Sequence, residues 1–230
     1  MRALVGLYGG ITSQNRVCIV VGAGPGIGYA TARRFGRNCS HRLALISRNS
    51  VTLDALVRRL RDEGIEVEPY LADAGDSQVL RGALEEICAT MGTPEVLIYN
   101  AARAVSRLDP EDLLTGHPSL IMDDYEVSVG GVLTCLRVLT PQMREIGGGT
   151  MIVSSRPPAA VLSSRFISHS LTITALDALV DAAQTDPRTF PNRVVHVRLP
   201  AELAPRKRAP SVAQLYWSLA HPPKKSPCKG

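Results

Sequence analysis

The sequence predicts one doubly wound α/β domain, a parallel sheet with helices over both faces. Three observations carry this. From Arg16 onward, short apolar runs alternate with longer amphipathic ones. The first apolar run opens directly into a glycine-rich turn and a helix. A chain of 230 residues, 45% of them hydrophobic, has material for one sizeable core. Apolar strands buried on both faces and joined through helices are parallel, because each crossover lays its helix on a face of the sheet.

The elements follow in order. Strand Val17–Val21 is apolar throughout and leads into helix Gly26–Arg37. Strand Arg42–Ile46 then precedes helix Val51–Glu63, and strand Val67–Leu71 precedes helix Ser77–Thr90. Strand Val96–Tyr99 comes before a long helix, Tyr125–Ile146. Strand Thr150–Ser154, helix Ser168–Gln184, strand Arg193–Arg198 and a short last helix, Val212–Ala220, complete the alternation. Two irregular stretches stand out: Arg103–Asp124, a long connection that can border a site, and Pro200–Pro210, which is unusually short. Residues 1–15 read as an N-terminal extension, 16–222 as the domain and 223–230 as a basic tail, with no internal repeat.

Composition narrows the function classes. No apolar run reaches the ~18 residues that cross a bilayer, and Met1–Arg16 is too short and glycine-rich for a signal peptide, so no membrane partner and a cytoplasmic location are expected. The five cysteines, Cys18, Cys39, Cys88, Cys135 and Cys228, are widely spaced without a Cys-x-x-Cys pair. They suggest neither a disulfide framework nor a zinc site, and no metal is expected. The net charge of +5 comes from the C-terminal region: Arg206, Lys207, Arg208, Lys224, Lys225 and Lys229 follow Leu203 without one carboxylate. Such a stretch reads as a solvated terminus, with contact to nucleic acid the lesser alternative.

The turn after the first strand is Gly22-Ala23-Gly24-Pro25-Gly26-Ile27-Gly28. In this setting glycines permit a tight turn and close backbone approach, and the helix start offers free N–H groups and a positive dipole end to a pyrophosphate. Gly-x-Gly-x-x-Gly fails, because Ile27 stands where its third Gly should be. Gly-x-x-x-Gly-x-Gly fits Gly22, Gly26 and Gly28, and this spacing resembles the short-chain dehydrogenase/reductase family, whose domain is Rossmann-type.

Further marks of the resemblance run along the chain. Asp73, with Ala74 after it, resembles the Asp that holds the adenine ring; Asn100-Ala101-Ala102 resembles the Asn-Ala-Gly after the fourth strand; Leu199-Pro200-Ala201 resembles the Pro-Gly turn after the sixth. An NAD binder carries Asp or Glu at the end of the second strand for a ribose hydroxyl. Here the stretch is Ile46-Ser47-Arg48-Asn49. Arg48 can pair with a 2′-phosphate, which favours NADP(H) over NAD(H).

The resemblance also implies a Tyr-x-x-x-Lys pair, a Ser about thirteen residues before the Tyr and an Asn in the long helix. The lysines of this chain are Lys207, Lys224, Lys225 and Lys229, all beyond the last strand, and there is no Tyr between Tyr125 and Tyr216. Aligning Gly149-Thr150-Met151-Ile152 with the family's fifth strand puts Arg156 at the Ser position, His169 at the Tyr position, Ile173 at the Lys position and Ser128 at the Asn position, to within about one residue. His169 can exchange a proton, and Arg156 can polarise a carbonyl. Bland alternatives stand beside each: an inert His at a helix start and a solvated loop Arg.

The lid that family members carry after the sixth strand is nearly absent. Tyr216-Trp217 resembles an atypical branch of the family that often lacks the usual pair. The resemblance therefore implies an NADP(H)-dependent oxidoreductase acting on a carbonyl or imine of a small molecule, as a homodimer or homotetramer. The alternative is a catalytically degenerate member used for cofactor sensing, partner binding or a repurposed cyclisation.

Overall fold

The computed structural model describes residues 16–39, 41–102, 118–155, 167–199 and 205–222. Its strands are β1 (Val17–Val21), β2 (Arg42–Ser47), β3 (Val67–Leu71), β4 (Val96–Tyr99), β5 (Thr150–Ser155) and β6 (Arg193–Arg198). They form one parallel sheet in the order β3-β2-β1-β4-β5-β6. The fold is the doubly wound, Rossmann-type arrangement expected. β1, the first described strand, lies at the centre, the order reverses between β1 and β4, and crevices for ligands open at the carboxyl ends of the strands beside that reversal. Val21 pairs with both Ile46 and Tyr99, so β1, β2 and β4 end level with one another.

The interleaved helices are α1 (Ile27–Cys39), α2 (Ser50–Asp62), α3 (Ser77–Met91), α4 (Pro118–Tyr125), α5 (Gly131–Glu145), α6 (Ile167–Thr185) and α7 (Pro205–Ala220). Successive strand residues face opposite ways. Cys18 and Val20 of β1 pack with Phe35 of α1, Leu53 and Leu60 of α2 and Tyr216 of α7. Val17, Ile19 and Val21 pack with Leu84 of α3, Leu139 of α5 and Leu176 of α6. The two apolar layers explain the unbroken hydrophobic reading of β1, which is fully buried on both sides. β3 is the exception: it lies at the sheet edge, is largely exposed, and so tolerates Pro69, which has no N–H to give a further strand. Asn49 caps α2 by accepting from Thr52 N, and Asp76 caps α3 by accepting from Gln78 N and Val79 N.

Two boundaries differ from the expectation by several residues. The long helix begins at Pro118 rather than Tyr125, because proline at a first helical position sacrifices no intrahelical bond. It is also not uniform. Between α4 and α5, residues Glu126–Gly130 form a π turn in which Gly131 N–H bonds Glu126 O instead of Val127 O. The spared Val127 carbonyl accepts the Tyr99 hydroxyl from the end of β4. Gly131 makes this possible, since a Cβ there would lie 2.0 Å from that hydroxyl.

The last helix also starts early, at Pro205, and runs through Pro210 although proline removes a helical hydrogen bond. Burial of Ala209, Val212, Ala213 and Tyr216 against the first layer offsets that loss.

Candidate functional site

The glycine turn is tied down on two sides. Gly22 N and Ala23 N both donate to Ile46 O of β2, at 2.9 and 3.0 Å. Gly22 has φ +82, and a Cβ on it would lie 2.5 Å from Ala101 Cα. Only glycine fits that approach. Gly28 is required for a second reason: its Cβ would lie 3.0 Å from Ala23 Cα, where α1 packs on the turn. Gly24 and Gly26 differ, because a Cβ on either would meet none of the described residues within 4 Å. Packing among the described residues does not demand glycine at these two positions. Pro25 lies between them, and Ile27 opens α1. The first bonds of the helix are given by Tyr29 N, to Gly24 O, and Ala30 N, to Gly26 O. The amides of Gly26, Ile27 and Gly28 thus precede the helical ladder, at the positive end of its dipole.

Beside the turn, a cleft of about 170 Å³ is lined by Gly22, Arg48, Asp73, Ala74, Asn100 and Ala101, with Ser47 and Val127 among its other walls. The cleft thus gathers residues from the ends of four strands. Arg48 Nη1 lies 3.7 Å from Asp73 Oδ2, and both side chains are about half exposed. Asp73 Oδ1 also accepts from Gly75 N, which fixes the turn after β3. Asn100 N donates to Val21 O, and the Asn100 side chain reaches Gly22 O at 3.5 Å. From β5, Ser154 Oγ lies 3.1 Å from both Tyr99 O and Asn100 Oδ1. β1, β4 and β5 are therefore pinned together where the sheet order reverses.

Two further positions from the sequence, Ser128 and His169, do not line this cleft. Ser128 is half-buried in the π turn, one residue from Val127. His169 is half-buried in the first turn of α6, which packs on α4 and on the π turn. Its neighbour Ser168 is buried and donates to the buried Asp124 carboxylate of α4, which fixes where α6 begins. Arg156 and Pro200 lie outside the described residues.

The structure adds a constellation that the sequence did not suggest. His196 of β6 places Nε2 2.8 Å from Ser155 Oγ and Nδ1 2.7 Å from Asp177 Oδ1 of α6, while Arg198 pairs with the other Asp177 oxygen. Its only trace in the sequence is a histidine inside the apolar run Val194-Val195-His196-Val197.

The model of the short chain dehydrogenase family matches residues 16–186. The chain belongs to that family. Among curated relatives, tropinone reductase-like 3 of Erythroxylum coca is 26% identical over 173 residues, 74% of this chain and 63% of that protein. The granaticin polyketide synthase putative ketoacyl reductase 1 of Streptomyces violaceoruber is 28% identical over 158 residues, 65% of this chain and 58% of that protein. The matches thus span roughly three fifths of these relatives' own length. Among solved structures, a metagenomic short-chain oxidoreductase in complex with NADP superimposes with a TM-score of 0.79 at 24% identity, covering 91% of this chain and 92% of that one. L-sorbose reductase from Gluconobacter frateurii, complexed with NADPH and L-sorbose, gives 0.73 at 22% identity over 80% and 69%.

In this short chain dehydrogenase the sequence of α6 contains neither Tyr nor Lys. Among the described residues, no cluster of His, Cys, Asp and Glu is arranged as a metal site, and no helix is long and apolar enough to cross a membrane.

Proposed function

We propose that this short chain dehydrogenase binds NADP(H) and moves hydride between it and a carbonyl or imine carbon of a small molecule. The observation that carries the reading is the pair Gly24 and Gly26, two glycines facing open space before a helix start. A side chain there would obstruct none of the described residues, but it would obstruct a group docked against the amides of Gly26, Ile27 and Gly28. A pyrophosphate fits that place in charge and in hydrogen-bonding character. Asp73 and Ala74 would flank the adenine, while Asn100 and Ala101 form the wall that leads towards β5.

Arg48 supports the phosphorylated cofactor. Its contact with Asp73 is long and half exposed, and such pairs contribute about 0–1 kcal/mol. A 2′-phosphate offers the guanidinium a shorter, two-pronged partner, so exchange of Asp73 for phosphate is favourable. When bound, the nicotinamide supplies or accepts the hydride. In this proposal Arg156, one residue past β5, polarises the substrate oxygen, and His169 at the start of α6 and Ser128 of the π turn border the substrate side. NADPH and NADH titrated side by side by fluorescence test the cofactor half. NADPH is expected to bind more tightly, and Arg48→Ala to weaken it about tenfold or more while barely changing NADH. Absence of binding by either cofactor overturns the reading.

One observation favours a second reading, a non-redox role on the same scaffold: α6 has neither the Tyr nor the Lys of the family. That reading predicts saturable NADPH binding with no oxidation of the cofactor against any member of a carbonyl and imine panel.

A further inference from the structure

We propose that Ser155, His196 and Asp177 form an acid–base relay that supplies the substrate proton in place of the family's missing tyrosine. The inference rests on the oxidoreductase reading above and identifies a proton source for it. Ser155 is the last residue of β5, the strand beside β4, and Ser154 before it already holds Asn100 in the cleft. Successive strand side chains face opposite ways, so Ser155 Oγ turns towards the α6 side of the sheet. There it meets His196 Nε2 at 2.8 Å, and His196 Nδ1 meets Asp177 Oδ1 at 2.7 Å. A hydroxyl, a base and an oriented carboxylate in consecutive hydrogen bonds form the arrangement that proton transfer requires.

Burial indicates how the relay is oriented. Ser155 is 8% exposed and the His196 side chain likewise 8%, whereas Asp177 is 30% and Arg198 50% exposed. The hydroxyl end is therefore the dry end, beside the strand termini, and the charged end is wet. A serine nucleophile oriented by a buried carboxylate would show the reverse gradient. Asp177 accepts from both Arg198 and the imidazole, which fixes the ring plane and directs Nε2 at Ser155. Ser155 is the member that meets the substrate; His196 and Asp177 act through it.

The step balances. A bound NADPH would supply the hydride to the carbonyl carbon, with the C=O π pair moving to oxygen and NADP⁺ left behind. The oxygen takes the Ser155 hydroxyl proton, Ser155 takes the Nε2 proton of the imidazolium, and the neutral ring recovers a proton from solvent between turnovers. Oxidation of an alcohol runs the same sequence backwards.

Two hydride acceptors separate this relay from the reading beneath it: an aldehyde, which needs a proton, and an N-methylated cyclic iminium salt, which does not. His196→Gln is expected to lower aldehyde turnover about 100-fold with little change in the KM for NADPH, and to leave iminium reduction within about threefold of wild type. Free imidazole should restore part of the aldehyde rate to His196→Gly. Equal loss on both acceptors, or no loss on the aldehyde, overturns the relay and spares the oxidoreductase reading. Reduction of neither acceptor by wild type sinks that reading, and the catalytic use of the relay with it. Independently of cofactor, side-chain ¹⁵N spectra should show His196 protonated at Nδ1 in its neutral form, a preference that Asp177→Asn abolishes. A neutral ring with bare Nδ1 overturns the relay whatever the kinetics.

Discussion

Gly22 and Gly24 stand two residues apart in one turn and are glycine for different physical reasons. Gly22 has φ +82 and no room for a Cβ against Ala101, so Gly22→Ala should strain the backbone and push the loop after β4 outward. A left-handed backbone alone costs a non-glycine residue about 1–2 kcal/mol, and the clash adds to it, giving an expected loss of about 2–4 kcal/mol in urea unfolding. Gly24→Ala places its methyl group clear of the described residues. Stability should change by no more than about 0.5 kcal/mol, while NADPH affinity falls at least tenfold because the methyl occupies the approach to the amides. If Gly24→Ala unfolded as easily as Gly22→Ala, or bound NADPH as tightly as wild type, the distinction between packing glycine and ligand glycine would be lost.

At the level of elements, α1 and α7 are joined by an aromatic cluster that includes a titratable ring. His41, just before β2, is buried and sits edge-on to Phe35 of α1 and to Trp217 of α7, with His221 5.6 Å away. Burial drives its pKa down from 6.5 to about 4, assisted by the charges of His221 and Arg16. The folded value lies below the unfolded one, so between these pH values the unfolded chain binds the proton and the folded one does not. The resulting stability is complete above about pH 6.5, declines as pH falls and is lost by about pH 4, a change on the order of 3 kcal/mol. His41→Phe keeps a ring in the cluster and removes the proton. Its unfolding free energy should fall less steeply across that interval than the wild type's; parallel curves would show that the ring carries no such penalty.

The same level shows what the sequence can and cannot express. β1, the turn and α1 were legible because their information is local: an apolar run, glycines at fixed spacing and a helix start within about twenty residues. The π turn was not, since its cause is Tyr99, nearly thirty residues earlier, taking the Val127 carbonyl. The early start of α7 was masked by Pro210, whose local penalty is outweighed by burial on a layer that only the assembled sheet provides. The site divides in the same way. Gly22, Arg48, Asp73 and Asn100 were each readable from position relative to a strand end, and they meet in one cleft. Ser155, His196 and Asp177 come from β5, β6 and α6, with no fixed spacing in the chain; the pairing of β5 with β6 and the packing of α6 on β6 bring them within hydrogen-bonding distance.

For the whole molecule, the cleft couples ligand binding to global stability. Its walls come from the ends of β1, β2 and β4 and from the turn after β3, segments that draw together only when the central sheet is formed. An unfolded chain presents no such site, so a ligand that fits it binds the folded state alone and stabilises it by mass action. NADPH at about one hundred times its Kd should add about 2.7 kcal/mol, which for a domain of this size raises Tm by roughly 5–10 °C. NADH at the same concentration should produce a smaller rise, because it lacks the phosphate that Arg48 would hold, and Arg48→Ala should bring the NADPH shift down to the NADH value. The comparison needs no substrate and no turnover. Equal shifts for the two cofactors in wild type would remove Arg48 as the discriminating group, and no shift with either would remove the cleft as a nicotinamide-cofactor site.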